Sequence, residues 1–403
     1  MKKINPCIIG LGYVGLPLFV SLKKKFRVVG YDLNKKRVVE LKKYIDRNNE
    51  FSKNDLKLQN ASIISSSHKD IKNSNFYIVT VPTPITKNNS PDLKFIKSAF
   101  GTISKYIKQN DIIILESTVY PGTTLDICKK IVQKKNKNIK FYIGYSSERI
   151  NPGDKIHNIK NISKVVSIDA DKKVIFLVKK IYKYVSKKIV FTKKIYEAEL
   201  SKLIENTQRD LNIGLMNELM ILCEKANLDF NEVIRLANTK WNFLRFKPGL
   251  VGGHCLPVDP YYLSYFAKKL NFKTQITLAA RKTNNYMEHF IYKKIILELK
   301  EKDQNKEREI AILGLTYKPN VPDYRNSLAL NIYKKLKKIY KKIIIYDPVI
   351  EKSFRKKNQI KNNLKDIVNS ETFILLVKHK QFDFVINFAK KNKKTIIDPL
   401  SLI

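Results

Sequence analysis

Cys7-Ile8-Ile9-Gly10-Leu11-Gly12-Tyr13-Val14-Gly15, followed by Leu16 to Lys24 and then by Arg27 to Tyr31 and Asp32, is the stretch that decides the fold. Three apolar residues read as a short strand, the Gly-x-Gly-x-x-Gly run as a turn, Leu16 to Lys24 as a helix, and the β-branched run ending at Tyr31 as a second strand. Each glycine has its own mechanical duty. Gly10 makes the tight turn, Gly12 lets a pyrophosphate approach the backbone, and Gly15 lets the helix pack closely, with its N-terminus facing the phosphates. Asp32 lies about twenty residues beyond the turn, where a carboxylate hydrogen-bonds an adenosine ribose. Such a carboxylate repels a 2′-phosphate and favours NAD. Lys35, Lys36 and Arg37 follow it closely and leave NADP open; the other reading of these cations is a solvated helix start.

Outward from this unit the apolar strands continue. Phe76 to Val81 ends in Pro82-Thr83-Pro84, and Asp111 to Leu115 ends in Glu116-Ser117-Thr118. Phe141 to Tyr145 leads into Ser146-Ser147-Glu148-Arg149-Ile150-Asn151-Pro152-Gly153. Open parallel sheets bind ligands at the carboxyl ends of their strands. Thr83 and Thr118 are therefore placed to touch cofactor or substrate, or else are ordinary strand-end hydroxyls. Glu148 and Arg149 reach the same edge, where a charged pair is as a rule simply surface.

From Ile195 to Ala237 the hydrophobic period becomes helical. Lys202, Asn206 and Arg209 fall at i, i+4 and i+7 on one face. The plain reading is a solvated stripe; the functional one is a grip for an oxygen-rich anion, with a mediocre helix former held between two cations. Beyond it comes Gly249-Leu250-Val251-Gly252-Gly253-His254-Cys255-Leu256-Pro257-Val258-Asp259-Pro260. Adjacent glycines bring backbone close to a ligand, and Asp259 follows the thiol by four residues in a loop stiffened by prolines. Cys255 is either a nucleophile activated by its surroundings or a buried apolar residue.

After helical material from Thr277 to Lys300 and a charged connector from Lys300 to Arg308, Glu309 to Gly314 starts another run of strands. Strands also end at Tyr346 and cover Thr372 to Val377 and Thr395 to Ile397, which implies a second parallel sheet. No glycine turn is expected after its first strand, so a second dinucleotide is not. Lys318 and Arg325 follow that strand as possible phosphate partners. The fold expected is α/β: two Rossmann-like parallel-sheet domains joined by a central helical dimerisation region. The domains expected are 1–192, 193–300 and 301–403, and the helical one is the natural contact of a homodimer.

The bulk composition narrows the class. At 43% hydrophobic over 403 residues the chain has enough apolar material for several cores. The first apolar run is broken by glycines and a proline, and no stretch approaches the roughly 20 apolar residues of a membrane span, so a cytoplasmic protein is expected. Cys7, Cys128, Cys223 and Cys255 lie too far apart for a zinc or disulfide framework, and no metal is expected. The net charge of +42 raises nucleic-acid binding, but the lysines are scattered and no nucleic-acid motif accompanies them. Specific nucleic-acid binding is not expected; non-specific polyanion binding at low salt is.

Taken together, these motifs resemble the UDP-glucose/GDP-mannose dehydrogenase family over nearly the whole chain. The markers are the Gly10 to Gly15 turn, Val81-Pro82-Thr83-Pro84, Glu116-Ser117-Thr118, Ser147-Glu148-Arg149, Lys202 to Asn206, Gly252-Gly253-His254-Cys255 with Asp259, and Tyr317-Lys318 with Asp323-Tyr324-Arg325. Within the family, Thr239 to Leu244, Arg149 to Gly153 and His254 before the cysteine look most like the UDP-N-acetylhexosamine 6-dehydrogenases of surface-polysaccharide pathways. The resemblance implies oxidation of a UDP-sugar 6-hydroxyl to the acid in two hydride transfers to NAD. Cys255 would carry a thiohemiacetal and then a thioester. Lys202 and Asn206 match the pair that stabilises the oxyanion, Asp259 a carboxylate that positions water, and Glu148 and Thr118 further active-site members. Arg149, Ile150, Arg209 and Gly249 align with substrate contacts, as do Lys202, Asn206 and Glu148. Tyr317 and Lys318 match residues reaching the UDP-sugar, and Arg325 one reaching NAD. Tyr13, Val14, Arg37, Thr83 and Thr118 join the glycines and Asp32 in the cofactor set. Ser147 departs from the family, which usually has proline there.

UDP-glucose, UDP-N-acetylmannosamine and GDP-mannose remain alternative substrates. A single-step β-hydroxyacid-type dehydrogenase would share the first domain and need no thiol, and the third reading is a non-catalytic polyanion-binding protein built on this scaffold.

Overall fold

The computed structural model describes residues 3–150, 156, 159–302, 309–350 and 352–403. Residues 151–153 of the expected strand exit and 303–308 of the expected connector lie outside this set. The chain divides into two compact units, residues 1–205 with 261–272 and residues 206–260 with 273–403. The expected domain 1–192 falls in the first unit and 301–403 in the second, while 193–300 is shared between them. One division runs through the 32-residue helix Ile195–Ala226, so Lys202 belongs to the first unit and Asn206 to the second.

In the first unit eight strands form one sheet: β1 Pro6–Ile9, β2 Val29–Tyr31, β3 Ile63–Ser65, β4 Phe76–Val79, β5 Ile112–Leu115, β6 Tyr142–Ser146, β7 Ser163–Ile168 and β8 Lys188–Thr192. Their order is β3-β2-β1-β4-β5-β6-β7-β8. The first six are parallel in the doubly wound arrangement, which leaves a crevice at the strand ends where the order reverses between β1 and β4. β1, β4 and β5 are buried along their whole length, as strands covered by helices on both faces must be. The sheet is not wholly parallel: β7 runs antiparallel to β6, and β8 pairs parallel with β7. β3, β7 and β8 carry no glycine turn and little apolar alternation, and were not expected.

In the second unit β9 Ile310–Leu313, β10 Ile343–Tyr346, β11 Thr372–Leu375 and β12 Thr395–Ile397 make a parallel sheet ordered β10-β9-β11-β12. Its core joins this sheet to the helix Gln275–Lys302 through Met287, Ile291, Ile295 and Leu299. The helical run expected from Ile195 to Ala237 is two helices. Asn227 takes the left-handed conformation at φ 56°, which ends the first, and the Asp229 side chain accepts from Asn231 N to cap the second, Phe230–Ala237.

Candidate active site

The glycine turn of the first unit is built to different tolerances at its three glycines. Gly10 has φ +96°, donates to Tyr31 O at 2.8 Å, and leaves a side chain only 2.9 Å from Thr80 O. A Cβ on Gly15 would stand 1.8 Å from Gly10 O, so this glycine is required by the turn itself as much as by the sheet. Among the described residues, nothing lies within 4 Å of a Cβ built on Gly12. That open face at the start of the helix Gly15–Leu22 fits a pyrophosphate against the backbone. Tyr13 and Val14 are half-buried beside it.

Asp32 fits the ribose role. Its Oδ2 accepts from Leu11 N at 2.7 Å and its Oδ1 from Asn34 N at 2.8 Å, which orients the carboxylate and leaves lone pairs for ribose hydroxyls. The three following cations divide. Lys35 and Lys36 are exposed, whereas Arg37 is buried. Its Nε donates to Leu11 O at 3.0 Å and its Nη2 stands 2.9 Å from Asp46 Oδ1, so the guanidinium braces the glycine turn from behind. Arg37 is therefore no part of a solvated helix start. Thr83 and Thr118 are half-buried after β4 and β5.

Glu148 follows β6 and is almost wholly buried. Its Oε1 accepts from Arg149 N at 2.6 Å and Ile150 N at 2.7 Å, and its Oε2 from Lys164 Nζ at 2.8 Å. The Arg149 guanidinium donates to Ser163 O at 3.2 Å and pairs with Glu205. Lys202 is buried, against the solvated reading of its stripe. One turn before it, Glu199 accepts from Gly122 N at 2.6 Å and from Thr124 N and Oγ1 at 2.8 and 2.6 Å. This fixes the start of the long helix to the loop that follows Thr118.

The second unit holds the thiol. Cys255 is exposed, while Cys7, Cys128 and Cys223 are buried. Its carbonyl accepts from Val258 N at 3.0 Å and from Asp259 N at 2.9 Å, which coils the loop into the helix Asp259–Lys269. Asp259 is buried, and its Oδ2 accepts from Asn206 Nδ2 at 2.5 Å, so two expected active-site residues 53 positions apart are hydrogen-bonded. The preceding glycines face close neighbours. A Cβ on Gly252 would approach Asn326 O to 2.5 Å, and one on Gly253 the Tyr317 ring to 2.7 Å. Tyr317 and Lys318 are half-buried after β9. Asp323 gathers the rest of this loop: Arg325 donates to it from Nε at 2.9 Å and Nη2 at 2.6 Å, and His254 Nε2 lies 3.5 Å away. Burial would raise the Asp323 carboxyl, but Arg325 and His254 hold it well below the usual carboxylate range. Arg209 is exposed on the long helix.

Gly249 is clamped by a residue that sequence reading passed over. Asn217, fully buried in the long helix, accepts from Gly249 N at 2.8 Å and donates to Gly249 O at 3.1 Å and Asn284 Oδ1 at 2.8 Å. Asn284 donates to Asp210, which Arg281 meets at 2.6 Å. The signal available was polar residues on the apolar side of two long helices, which a lysine-rich composition hides.

After β9 there is, contrary to expectation, a glycine turn. Gly314 has φ +84° and donates to Tyr346 O at 3.1 Å, and Leu315 N donates to Asp347 Oδ2 at 2.7 Å. The geometry repeats that of Gly10, Leu11, Tyr31 and Asp32. Asp347, however, is fully buried against His379 Nε2 at 3.3 Å and the amides of Val349 and Ile350, so it lacks the open side that Asp32 keeps. The two turns therefore differ at the carboxylate and not at the glycine.

A dehydrogenase on paired nucleotide-type sheets is the class these features describe. Residues 4–186 match the NAD binding domain of the UDP-glucose/GDP-mannose dehydrogenase family, 196–286 its central domain and 311–403 its UDP binding domain. The chain belongs to that family and is an NAD-dependent nucleotide-sugar dehydrogenase. It is 40% identical to a UDP-N-acetyl-D-glucosamine 6-dehydrogenase of Salmonella typhi across 95% of this chain and 91% of that one. It is 43% identical to Protein CapL of Staphylococcus aureus across 88% and 84% of the two chains. Among solved structures, a UDP-D-ManNAc dehydrogenase from Pyrococcus horikoshii superposes with a TM-score of 0.86 at 28% identity, covering 99% of this chain and 96% of that one. Among the described residues, no helix is long and apolar enough to cross a membrane.

Proposed function

We propose that the chain oxidises the 6-hydroxyl of a UDP-N-acetylhexosamine, UDP-N-acetylglucosamine foremost, to the uronic acid, as a cytoplasmic enzyme of surface-polysaccharide synthesis. The 40% identity to the Salmonella typhi enzyme over nearly both chains supports this substrate. The observation that carries the mechanism is the exposed Cys255 on a loop whose Asp259 is bonded to Asn206. NAD, when bound, supplies the hydride acceptor, two equivalents for each acid formed. The remaining chemistry belongs to side chains. The Cys255 thiolate adds to the C6 aldehyde and forms the carbon–sulfur bond of a thiohemiacetal, whose oxyanion Lys202 and Asn206 stabilise. Oxidation of that adduct gives a thioester. Water, positioned by Asp259, adds to it, the carbon–sulfur bond breaks, and the acid leaves with the thiolate restored. Glu148 and Thr118 complete the reacting set. Arg149, Ile150, Arg209, Gly249, Tyr317 and Lys318 take the substrate, and Tyr13, Val14, Thr83 and Arg325 the cofactor, while Arg37 supports the cofactor site only by bracing the glycine turn from behind.

Three functional domains, 1–192, 193–300 and 301–403, divide this work into cofactor binding, thiol chemistry and UDP binding. The homodimer proposed for the central domain is supported by Leu215, Leu222, Leu236 and Trp241, large apolar side chains of the second unit that are all exposed. Likeness to the Pyrococcus horikoshii structure makes UDP-N-acetylmannosamine the second substrate to assay. The test is stoichiometric. Wild-type enzyme should form two NADH per uronate, and Cys255→Ala should form no acid; a ratio of one, or full acid production by the variant, refutes the thioester route.

A further inference from the structure

The first unit contains a buried charge cluster whose central member has no role in the proposed chemistry. Lys164, on β7, is 1% exposed and donates to Glu116 Oε2 at 2.6 Å and to Glu148 Oε2 at 2.8 Å. Tyr182, at the end of the helix Lys172–Tyr182, donates to Glu116 Oε1 at 2.5 Å. One cation thus stands between two carboxylates, one after β5 and one after β6. Burial pushes the Glu116 carboxyl up to about 7 while the Lys164 ammonium pulls it down, and the Tyr182 phenol is pushed well above its ordinary range and stays a donor. Burial would lower Lys164, yet its two carboxylates raise it, so it remains an ammonium.

A lysine among Val165, Val166 and the sheet core is costly unless its charge is used. A buried ion pair is often replaceable by apolar groups without loss of stability, so fold alone is a weak reason for this one. What the ammonium does do is complete the immobilisation of Glu148. That carboxylate has one oxygen on two backbone N–H groups and the other on Lys164, and three donors still leave it an acceptor position.

We propose that Lys164 is a positioning residue for the oxidation: its ammonium fixes the orientation and charge of Glu148 at the sheet edge, with Glu116 and Tyr182 behind it as a counterweight. The inference deepens the proposed function and rests on Glu148 belonging to the reacting set. Among the described residues, Arg149 next to Glu148 has its guanidinium held by Ser163 O and Glu205.

Two substitutions of opposite sign test this. Lys164→Met leaves the Glu116 and Glu148 carboxylates facing each other, and should move the acidic limb of the kcat–pH profile up by about one unit with kcat down about tenfold. Glu116→Gln leaves the ammonium to Glu148 alone, and should move the same limb down. KM for UDP-N-acetylglucosamine and the affinity for NAD should stay within about threefold of wild type in both, because neither side chain belongs to the binding sets. If Lys164→Met does not fold, Glu116→Gln carries the test. Folded variants whose limbs stay at the wild-type position, whatever their rates, overturn the assignment. In that case wild-type formation of two NADH per acid would leave the function standing, whereas wild type without nucleotide-sugar turnover would remove the function itself.

Discussion

Gly12 and Gly15 are the same residue type three positions apart and should respond oppositely to an added methyl. At Gly15 the new carbon would collide with Gly10 O and Thr80 Oγ1, so Gly15→Ala should destabilise the unit by about 2 kcal/mol or more, the range of a strained core overpacking. At Gly12 the methyl meets only open space, so Gly12→Ala should leave the melting temperature in place while weakening NAD binding about tenfold, the loss of about 1.4 kcal/mol of close phosphate contact. Thermal melts and NAD titrations of both variants check the pair; a Gly12→Ala protein with full NAD affinity would mean that the pyrophosphate lies elsewhere. Asp32 and Arg37 show how far the residue scale is legible in sequence. Asp32 is found by its distance from the turn. The inward bend of Arg37 depends on Asp46, whose approach no spacing announces.

Helix and loop are coupled most clearly at Asn217. This one side chain makes both backbone bonds of Gly249 and ties them to Asn284, so the helix Ile195–Ala226 sets the start of the thiol loop. Asn217→Ala would leave the Gly249 amide and the Asn284 oxygen without their partner. It should cost about 2 kcal/mol in stability and lower kcat/KM more than NAD affinity. Urea melts and steady-state kinetics measure the two effects. Most parallel strands were legible because buried strands are continuous β-branched runs closed by turns. β7 and β8 were not: Lys164 interrupts the apolar pattern of one, and Lys188 opens the other.

For the whole molecule, the +42 charge is the dominant long-range term. Repulsion among scattered lysines opposes the compact state and is screened within about 10 Å at 0.1 M salt. The melting temperature should therefore rise as sodium chloride is raised from about 0.02 to about 0.3 M, and retention on duplex DNA should disappear over the same range. Melts and a retention assay across that series provide the check; duplex binding that persists at the upper end would revive the polyanion reading.

By itself the sequence determined the class of fold and the dinucleotide turn, and it singled out the cysteine proposed to react. Those depend on local backbone geometry and on residue types at short spacing, both written directly in the chain. Tertiary structure decided which distant polar groups meet. It put Asn206 on Asp259, Asn217 on Gly249, and one ammonium between Glu116 and Glu148. It also separated two similar turns, leaving Asp32 partly open and sealing Asp347 under His379, because whether a carboxylate keeps a free lone pair depends on what the rest of the fold packs against it.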